Sequence, residues 1–186
     1  RQMCIRDSAL AAVDRLPSIA GCDSDREPVG LDNPALPEDV TRELSELFAR
    51  SRTLSELSFH EQSLETSEQA VGVARAAEDD GLLAEALYYE AYALANLGRT
   101  DDAAPVAREA TRLAIAAEHH WQAFYSLVLE ATLIANDRDP TRADELLTLA
   151  AAQLQAYGED DSLEAWLLSA RAGVASSEPL RALRAA

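Results

Sequence analysis

The sequence predicts an all-α fold, an α-solenoid of antiparallel helical hairpins with a repeat length of about 40 residues. Three observations lead to this prediction. Leucine and alanine recur at the three- and four-residue spacing of an amphipathic helix. Segments with the alternating pattern of a strand are absent from the sequence. Similar segments also coincide when the chain is shifted along itself by one repeat length. A chain of 186 residues can hold a short solenoid whose core is spread along its length.

The clearest unit lies in residues 84–115, which predict two amphipathic helices joined by a tight turn at Leu97-Gly98. One helix presents leucines and the other alanines, and small alanine side chains let two helix backbones approach closely. A single hairpin cannot bury its outer faces, so it needs similar neighbours. The residues of this pattern are Leu83, Leu87, Ala91 and Leu94 in the first helix and Ala103, Ala107, Ala110 and Ala114 in the second.

The repeat recurs in both helices of the hairpin. An ordinary helical bundle rich in alanine and leucine would match the helix period without matching this register, so we favour the repeat. The coinciding residues are Leu47, Leu87 and Leu127, with Leu168 one residue late, and Ala70, Ala110 and Ala150 in the second helices.

The order of small, large and glycine positions resembles a tetratricopeptide repeat. The residues that carry this resemblance are Ala84, Leu87, Ala91, Leu94, Leu97-Gly98, Asp102-Ala103, Ala107 and Ala110. The resemblance implies that the first helix of each hairpin lines a concave groove, across which peptide ligands lie.

Three segments divide the chain. Residues 1–8, RQMCIRDS, resemble the translation of a sequencing-adapter end, so we exclude them from the fold and expect the natural protein to extend upstream. Residues 9–37 are rich in proline, glycine and aspartate and predict a helix end followed by a linker. The array occupies residues 38–186, with repeats at about 38–78, 82–118, 121–157 and 162–186, the last one incomplete beyond Glu178-Pro179.

Helix starts carry residues typical of N-termini. Asp79-Asp80 and Asp139 can cap the helices that follow them, and Pro140 suits a first helical position. Pro105 would lie in or beside a first turn if Asp101 or Asp102 caps its helix. The first repeat is the most polar, since it has serine where later copies have alanine or leucine, and we expect it to face solvent as an end repeat. Those serines are Ser51, Ser63 and Ser67.

Composition excludes several classes of partner. The formal net charge of −17 disfavours binding to nucleic acid or to anionic lipid. No apolar run is long enough to cross a membrane, so we expect no direct membrane insertion within this chain. The two cysteines, Cys4 and Cys22, are too few for a metal cluster or a disulfide framework, and the pairing of Cys22 stays open.

No catalytic constellation stands out, so we predict no catalytic residue, no metal and no cofactor. His119-His120 are adjacent and therefore point in different directions on a helix, which suits a solvated turn better than a shared metal. The paired acids lie at helix starts, where carboxylates cap backbone donors. Phosphate-binding loops and nucleophile motifs are missing. An enzyme with an unrecognised acidic site remains a minor alternative.

A surface is the remaining candidate site. Groove-facing positions, mapped from one repeat to the next, give an aromatic track with amides at one side. Alternatively, the tyrosines close the seam between neighbouring repeats. Arg52 is the only basic residue of the set, which disfavours capture of a free C-terminal carboxylate. The predicted groove residues are Phe48, Arg52, Glu85, Tyr88, Tyr92, Asn96, Tyr125 and Asn136.

These observations predict a non-catalytic scaffold that binds a protein or peptide. A looser resemblance, from LPSIAGCDS through a proline-rich spacer to the repeats, is to the C-terminal part of bacterial membrane-anchored serine/threonine protein kinases. It implies a sensing or docking region outside the cytoplasmic membrane. The alternative is the repeat region of a cytoplasmic transcriptional activator or adaptor.

Overall fold

The computed structural model of the protein describes residues 36–136, 139–158 and 160–185. This part of the chain forms seven α-helices and contains no strand. The adapter-like segment, nearly all of the predicted linker and Cys22 lie outside the described residues. The helices are α1 (Glu38–Glu56), α2 (His60–Ala76), α3 (Asp80–Asn96), α4 (Thr100–Ala116), α5 (His120–Asn136), α6 (Pro140–Tyr157) and α7 (Asp161–Ala185).

The helices pack in the order in which they follow one another. Each helix contacts the next, and the first helices of successive hairpins also touch, namely α1 with α3, α3 with α5 and α5 with α7. Among the described residues, the second helices α2, α4 and α6 do not contact one another. The first helices therefore lie on the inner side of a curved array. This arrangement confirms the predicted all-α, solenoid-like fold, with three hairpins and a seventh helix.

The turns recur at half the length of the hairpin repeat. A residue in the left-handed region occurs at equal intervals along the chain, at Ser58 (φ 62°), Glu78 (φ 53°), Gly98 (φ 74°) and Glu118 (φ 56°). Around three of these turns an amide donates to the carbonyl five residues earlier, over 2.8 to 3.0 Å, which is the pattern of a Schellman cap. Those bonds run from Phe59 to Leu54, Arg99 to Leu94 and His119 to Ala114.

Two predicted caps are confirmed. A carboxylate oxygen of Asp79 accepts a hydrogen bond from the Leu82 amide at 2.9 Å, and Asp139 accepts one from the Arg142 amide at 2.9 Å. Pro140 occupies the first turn of α6, as expected.

The expected placement of Pro105 is wrong. Helix α4 begins at Thr100, and the amides of Asp102 and Ala103 both donate to the Arg99 carbonyl, at 3.2 and 3.0 Å. Asp101 and Asp102 therefore lie within the first turn and do not cap the helix. Pro105 lies beyond that turn and cannot donate to the carbonyl four residues earlier. Pro105 and Asp101 are both exposed, so water can satisfy that carbonyl.

The coinciding leucines occupy related environments. Leu87 is 2% exposed and Leu127 is fully buried, while Leu47 packs against the same core as Leu87. Leu168 is 63% exposed, because in the described part of the chain no helix follows α7 to cover that face. Helix α7 continues without a break to Ala185.

The expectation that the polar first hairpin faces solvent is also wrong for its serines. Ser51, Ser63 and Ser67 are all 0% exposed. The Ser63 hydroxyl lies 3.1 Å from that of Ser51 and 2.8 Å from that of Ser55, and it donates to the Ser51 carbonyl at 3.0 Å. Ser51 and Ser55 of α1 and Ser63 of α2 thus form a hydrogen-bonded contact between the two helices, whereas the Ser67 hydroxyl donates to the Leu64 carbonyl of its own helix at 2.9 Å.

Candidate binding groove

Aromatic side chains are concentrated on the first helices. Of the ten aromatic residues in the chain, eight form one continuous set of ring contacts, which we call the aromatic cluster. All eight lie on α1, α3, α5 or α7. The cluster consists of Phe48, Tyr88, Tyr89, Tyr92, Trp121, Phe124, Tyr125 and Trp166.

Ring contacts cross every boundary between successive hairpins. Phe48 of α1 lies 6.0 Å from Tyr89 of α3, measured between ring centroids. Tyr88 of α3 lies 5.8 Å from Tyr125 of α5, with the rings edge to face. Tyr125 in turn lies 4.9 Å from Trp166 of α7. Edge-to-face and tilted pairs at these separations are attractive beyond their buried area. The cluster therefore joins the four first helices.

Six of the eight rings border an open cavity of about 490 Å³, which we call the inner groove. The groove crosses the first helices diagonally, from the C-terminal end of α1, over the middle of α3, to the N-terminal turns of α5 and α7. Its lining residues are Arg52, Ser55, Glu56, Tyr88, Tyr89, Tyr92, Trp121, Tyr125, Ser162, Leu163 and Trp166.

The structure brings together four of the eight predicted groove residues. Arg52, Tyr88, Tyr92 and Tyr125 line the inner groove. Phe48 belongs to the aromatic cluster, but it is only 5% exposed and does not line the groove. The two interpretations of the tyrosines are therefore compatible, since the same rings close the seam and border the cavity.

The remaining three predicted residues lie elsewhere or are not described. Glu85 is buried beside the tyrosines of α3, with 8% exposure. The Asn96 side chain donates to the Tyr92 carbonyl at 2.8 Å and does not line the groove. The Asn136 side chain lies outside the described residues. Mapping positions by a constant offset between repeats assumes that the groove runs perpendicular to the helices. This groove runs obliquely, so the C-terminal ends of α3 and α5 do not border it.

Sequence reasoning missed three aromatic residues of the groove, namely Tyr89, Trp121 and Trp166. Tyr89 lies four positions after Glu85, so helical spacing alone could have included it. Trp166 is the sixth residue of α7, as Tyr125 is of α5, and counting from helix starts would have paired them. Trp121 has no aromatic counterpart one repeat earlier or later, where Gly81 and Asp161 stand, so the repeat register does not predict it.

Burial controls the ionisation of the groove's acidic groups. It raises the pKa of Glu85 to about 7, while the positive charge of Arg52 acts in the opposite direction. Burial also raises the pKa of Tyr88 and that of Tyr89, so both phenols are neutral hydrogen-bonding groups at neutral pH. The groove thus combines aromatic rings with the exposed Arg52 guanidinium group and the Glu56 carboxylate, and the Glu85 carboxyl group is buried behind this lining, within electrostatic reach of Arg52.

The adjacent histidines contact different helices. The His119 ring packs over Gly81 so closely that a Cβ atom there would lie 2.3 Å from the ring, so any larger residue would require the ring to move. Nδ1 of His120 lies 2.7 Å from Oε1 of Gln153 in α6. Both histidines are partly buried, which corrects the expectation of a solvated turn.

The described residues contain no group of three or more histidine, cysteine, aspartate or glutamate side chains arranged to hold a metal ion. None of the helices in that part of the chain combines the length and apolar character needed to cross a bilayer.

The relation of this chain to known proteins was tested in three ways: against models of protein families, against curated protein sequences and against solved structures. None of the three comparisons gave a match. The resemblance to tetratricopeptide repeats therefore rests on the residue pattern and on the observed stacking of helical hairpins.

Proposed function

We propose that this chain is a non-catalytic scaffold that binds a peptide segment of another protein in the inner groove. The observation that carries this proposal is the concentration of eight of ten aromatic residues on the four first helices. Tyrosine and tryptophan are the residues that most often anchor protein interfaces, because they offer a wide apolar surface with a polar edge.

The exposure of the rings supports a role beyond sealing the hairpins. Phe48 and Phe124 are buried and contact aromatic rings across the α1–α3 and α5–α7 boundaries, where a seam residue is expected. Tyr92 is 37% exposed, and Trp121, Tyr125 and Trp166 are only partly buried. Aromatic surface left accessible in a concave site costs solvation free energy unless a ligand covers it.

Peptide display tests the proposal. A random peptide library is selected on the parent chain, and the enriched peptides are then measured against two variants. Tyr92→Ala removes an exposed ring from the groove, whereas Leu149→Ala removes an exposed apolar side chain from α6, a second helix. We expect Tyr92→Ala to weaken binding at least about tenfold, the effect of losing an interface anchor, and Leu149→Ala to leave it unchanged. Equal binding by parent and Tyr92→Ala would contradict the proposal.

The wider context follows from the looser resemblance. We propose that the scaffold is the sensing or docking region of a larger bacterial signalling protein, such as a serine/threonine kinase with helical repeats. The alternative is a cytoplasmic transcriptional activator or adaptor. The upstream reading frame distinguishes them, since it would encode a kinase domain with a membrane span in one case and a DNA-binding domain in the other.

A second candidate function is enzymatic, and Glu85 is the observation that favours it. A buried carboxyl group with a pKa of about 7 can serve as a general acid or base. Glu56 is the one carboxylate among the residues that line the groove. If a reaction occurred here, Glu85→Gln would abolish turnover of a candidate substrate, while binding of the peptides selected above would persist.

A further inference from the structure

We infer that the segment bound by the inner groove is basic, and that an arginine or lysine side chain of the partner lies against the aromatic faces near Glu56 and Glu85. This inference rests on the proposed function, because it names the chemistry of the ligand for the same groove. Three features of the groove favour a cationic group.

The first feature is the aromatic lining. Tyr88, Tyr89, Tyr92, Trp121, Tyr125 and Trp166 all border the cavity. The face of an aromatic ring carries partial negative charge and attracts a guanidinium or ammonium group within about 6 Å of its centroid, most strongly for tryptophan. Six such rings border a cavity of about 490 Å³, so a cation in the groove has several aromatic rings in reach.

The second feature is the local balance of charge. Among the described residues that line the groove, Arg52 and Glu56 are the only charged ones. Burial raises the pKa of Glu85, and Arg52 is the one nearby charge that favours its ionised form. The lining thus carries one cation and one anion, and the Glu85 carboxyl group is buried within electrostatic reach of Arg52, so a second cation in the groove would favour Glu85 as a carboxylate.

The third feature is the charge of the whole chain. With a formal net charge of −17, the protein attracts positively charged segments and repels acidic ones. This attraction acts over about one Debye length and is strongest in dilute salt. An acidic segment would also meet Glu56 in the groove, with only Arg52 to compensate. A neutral apolar segment would use the rings but leave Glu85 without a second counter-charge.

Matched peptides test the inference. Peptides of about ten residues without tryptophan are selected on the parent chain, and each is synthesised with arginine, citrulline or glutamate at every basic position. Citrulline has nearly the shape of arginine but no charge. The only two tryptophans of the chain, Trp121 and Trp166, both line the groove, so a change in tryptophan emission reports binding at this site. We expect the arginine version to bind about tenfold more tightly than the citrulline version.

Two variants test whether Glu85 contributes to the preference for arginine over citrulline. Glu85→Gln removes the buried carboxyl group, and we expect it to reduce the advantage of arginine over citrulline severalfold. Asp144→Asn removes one negative charge from an exposed position on α6 and should leave that advantage unchanged. Both variants keep the size of the side chain, so neither should disturb packing.

The outcomes separate this inference from the proposed function. If citrulline or glutamate versions bind as tightly as arginine versions, or if the selected peptides carry no basic residue, the groove remains a peptide site and the inference is wrong. If no peptide is selected, or if binding leaves tryptophan emission unchanged and tolerates Tyr92→Ala, the proposed function itself is wrong.

Discussion

The first two hairpins have the same register but different contacts between their helices. In the first, Ser51 and Ser63 meet between α1 and α2. In the second, Ala91 and Ala103 occupy the equivalent positions, one repeat later. All four side chains are 0% exposed. Close approach of the two helices therefore requires small side chains at these positions. A hydroxyl group is tolerated in the first hairpin because a hydrogen-bonding partner lies on the facing helix.

The first prediction sets the buried leucine of the second hairpin against its counterpart in the first. Leu87→Ala should lower the free energy of unfolding by about 2–5 kcal/mol, because Leu87 is 2% exposed and its removal leaves a cavity. Leu47→Ala should cost less, because Leu47 is only partly buried. Chemical denaturation of both variants measures the difference. An unchanged midpoint for Leu87→Ala would show that this helix face is misassigned.

The second prediction concerns Glu85 of α3. Its equivalent in α1, one repeat earlier, is Ser45. The folded-state pKa of about 7 lies above the ordinary 4.5, so the folded chain holds the proton more tightly than the unfolded chain. Stability should therefore fall as pH rises from about 4.5 through about 7. The contribution of Glu85 to this fall amounts to about 3 kcal/mol at most, and Glu85→Gln should remove that contribution, while the raised pKa of Glu90 acts in the same direction in both chains.

Denaturation at pH 5 and at pH 8 measures this effect. Glu46→Gln, at an exposed position of α1, is the matched control. A parent chain equally stable at both pH values would show that Glu85 is not held in its protonated form.

The third prediction replaces serine by alanine in the helix contact of the first hairpin, and alanine by serine in the equivalent contact of the second. Ser63→Ala should cost about 1–3 kcal/mol, since it removes the partner of the Ser51 and Ser55 hydroxyls. Ala103→Ser should cost less, because a serine there can donate to the Arg99 carbonyl of the preceding turn. Thermal unfolding of each variant is the measurement. A greater loss for Ala103→Ser would mean that apolarity, and not size, governs the contact.

The smallest predicted effects lie in the turns. Gly98→Ala should cost about 1 kcal/mol, because φ is 74° and alanine is strained there, although no atom lies within 4 Å of the added Cβ. Ser58→Gly relieves the same strain at φ 62° and should raise stability by less than about 1 kcal/mol. Shifts in melting temperature of opposite sign would confirm that both turns impose the same backbone geometry.

Much of the fold follows from local pattern. The spacing of Leu87, Ala91 and Leu94 selects helix, the repeat register selects stacking of like hairpins, and Asp79 and Asp139 cap the helices as predicted. Such features depend on residues that are near in sequence, or on repetition itself. The left-handed conformations of Ser58, Glu78 and Glu118 were not predicted, because their side chains give no signal comparable to that of Gly98.

Residue spacing and repetition along the chain are thus enough to predict helical hairpins, the faces they bury and their stacking. Only from the folded arrangement of the helices does it become clear which side chains share the inner groove. Its oblique course over α1, α3, α5 and α7 joins Arg52 to Trp166 and excludes Asn96. The repeat register gives the spacing of equivalent residues along the chain, but it does not give the angle by which each hairpin is rotated relative to the previous one. That rotation is set by side-chain packing between helices, which the finished fold alone contains.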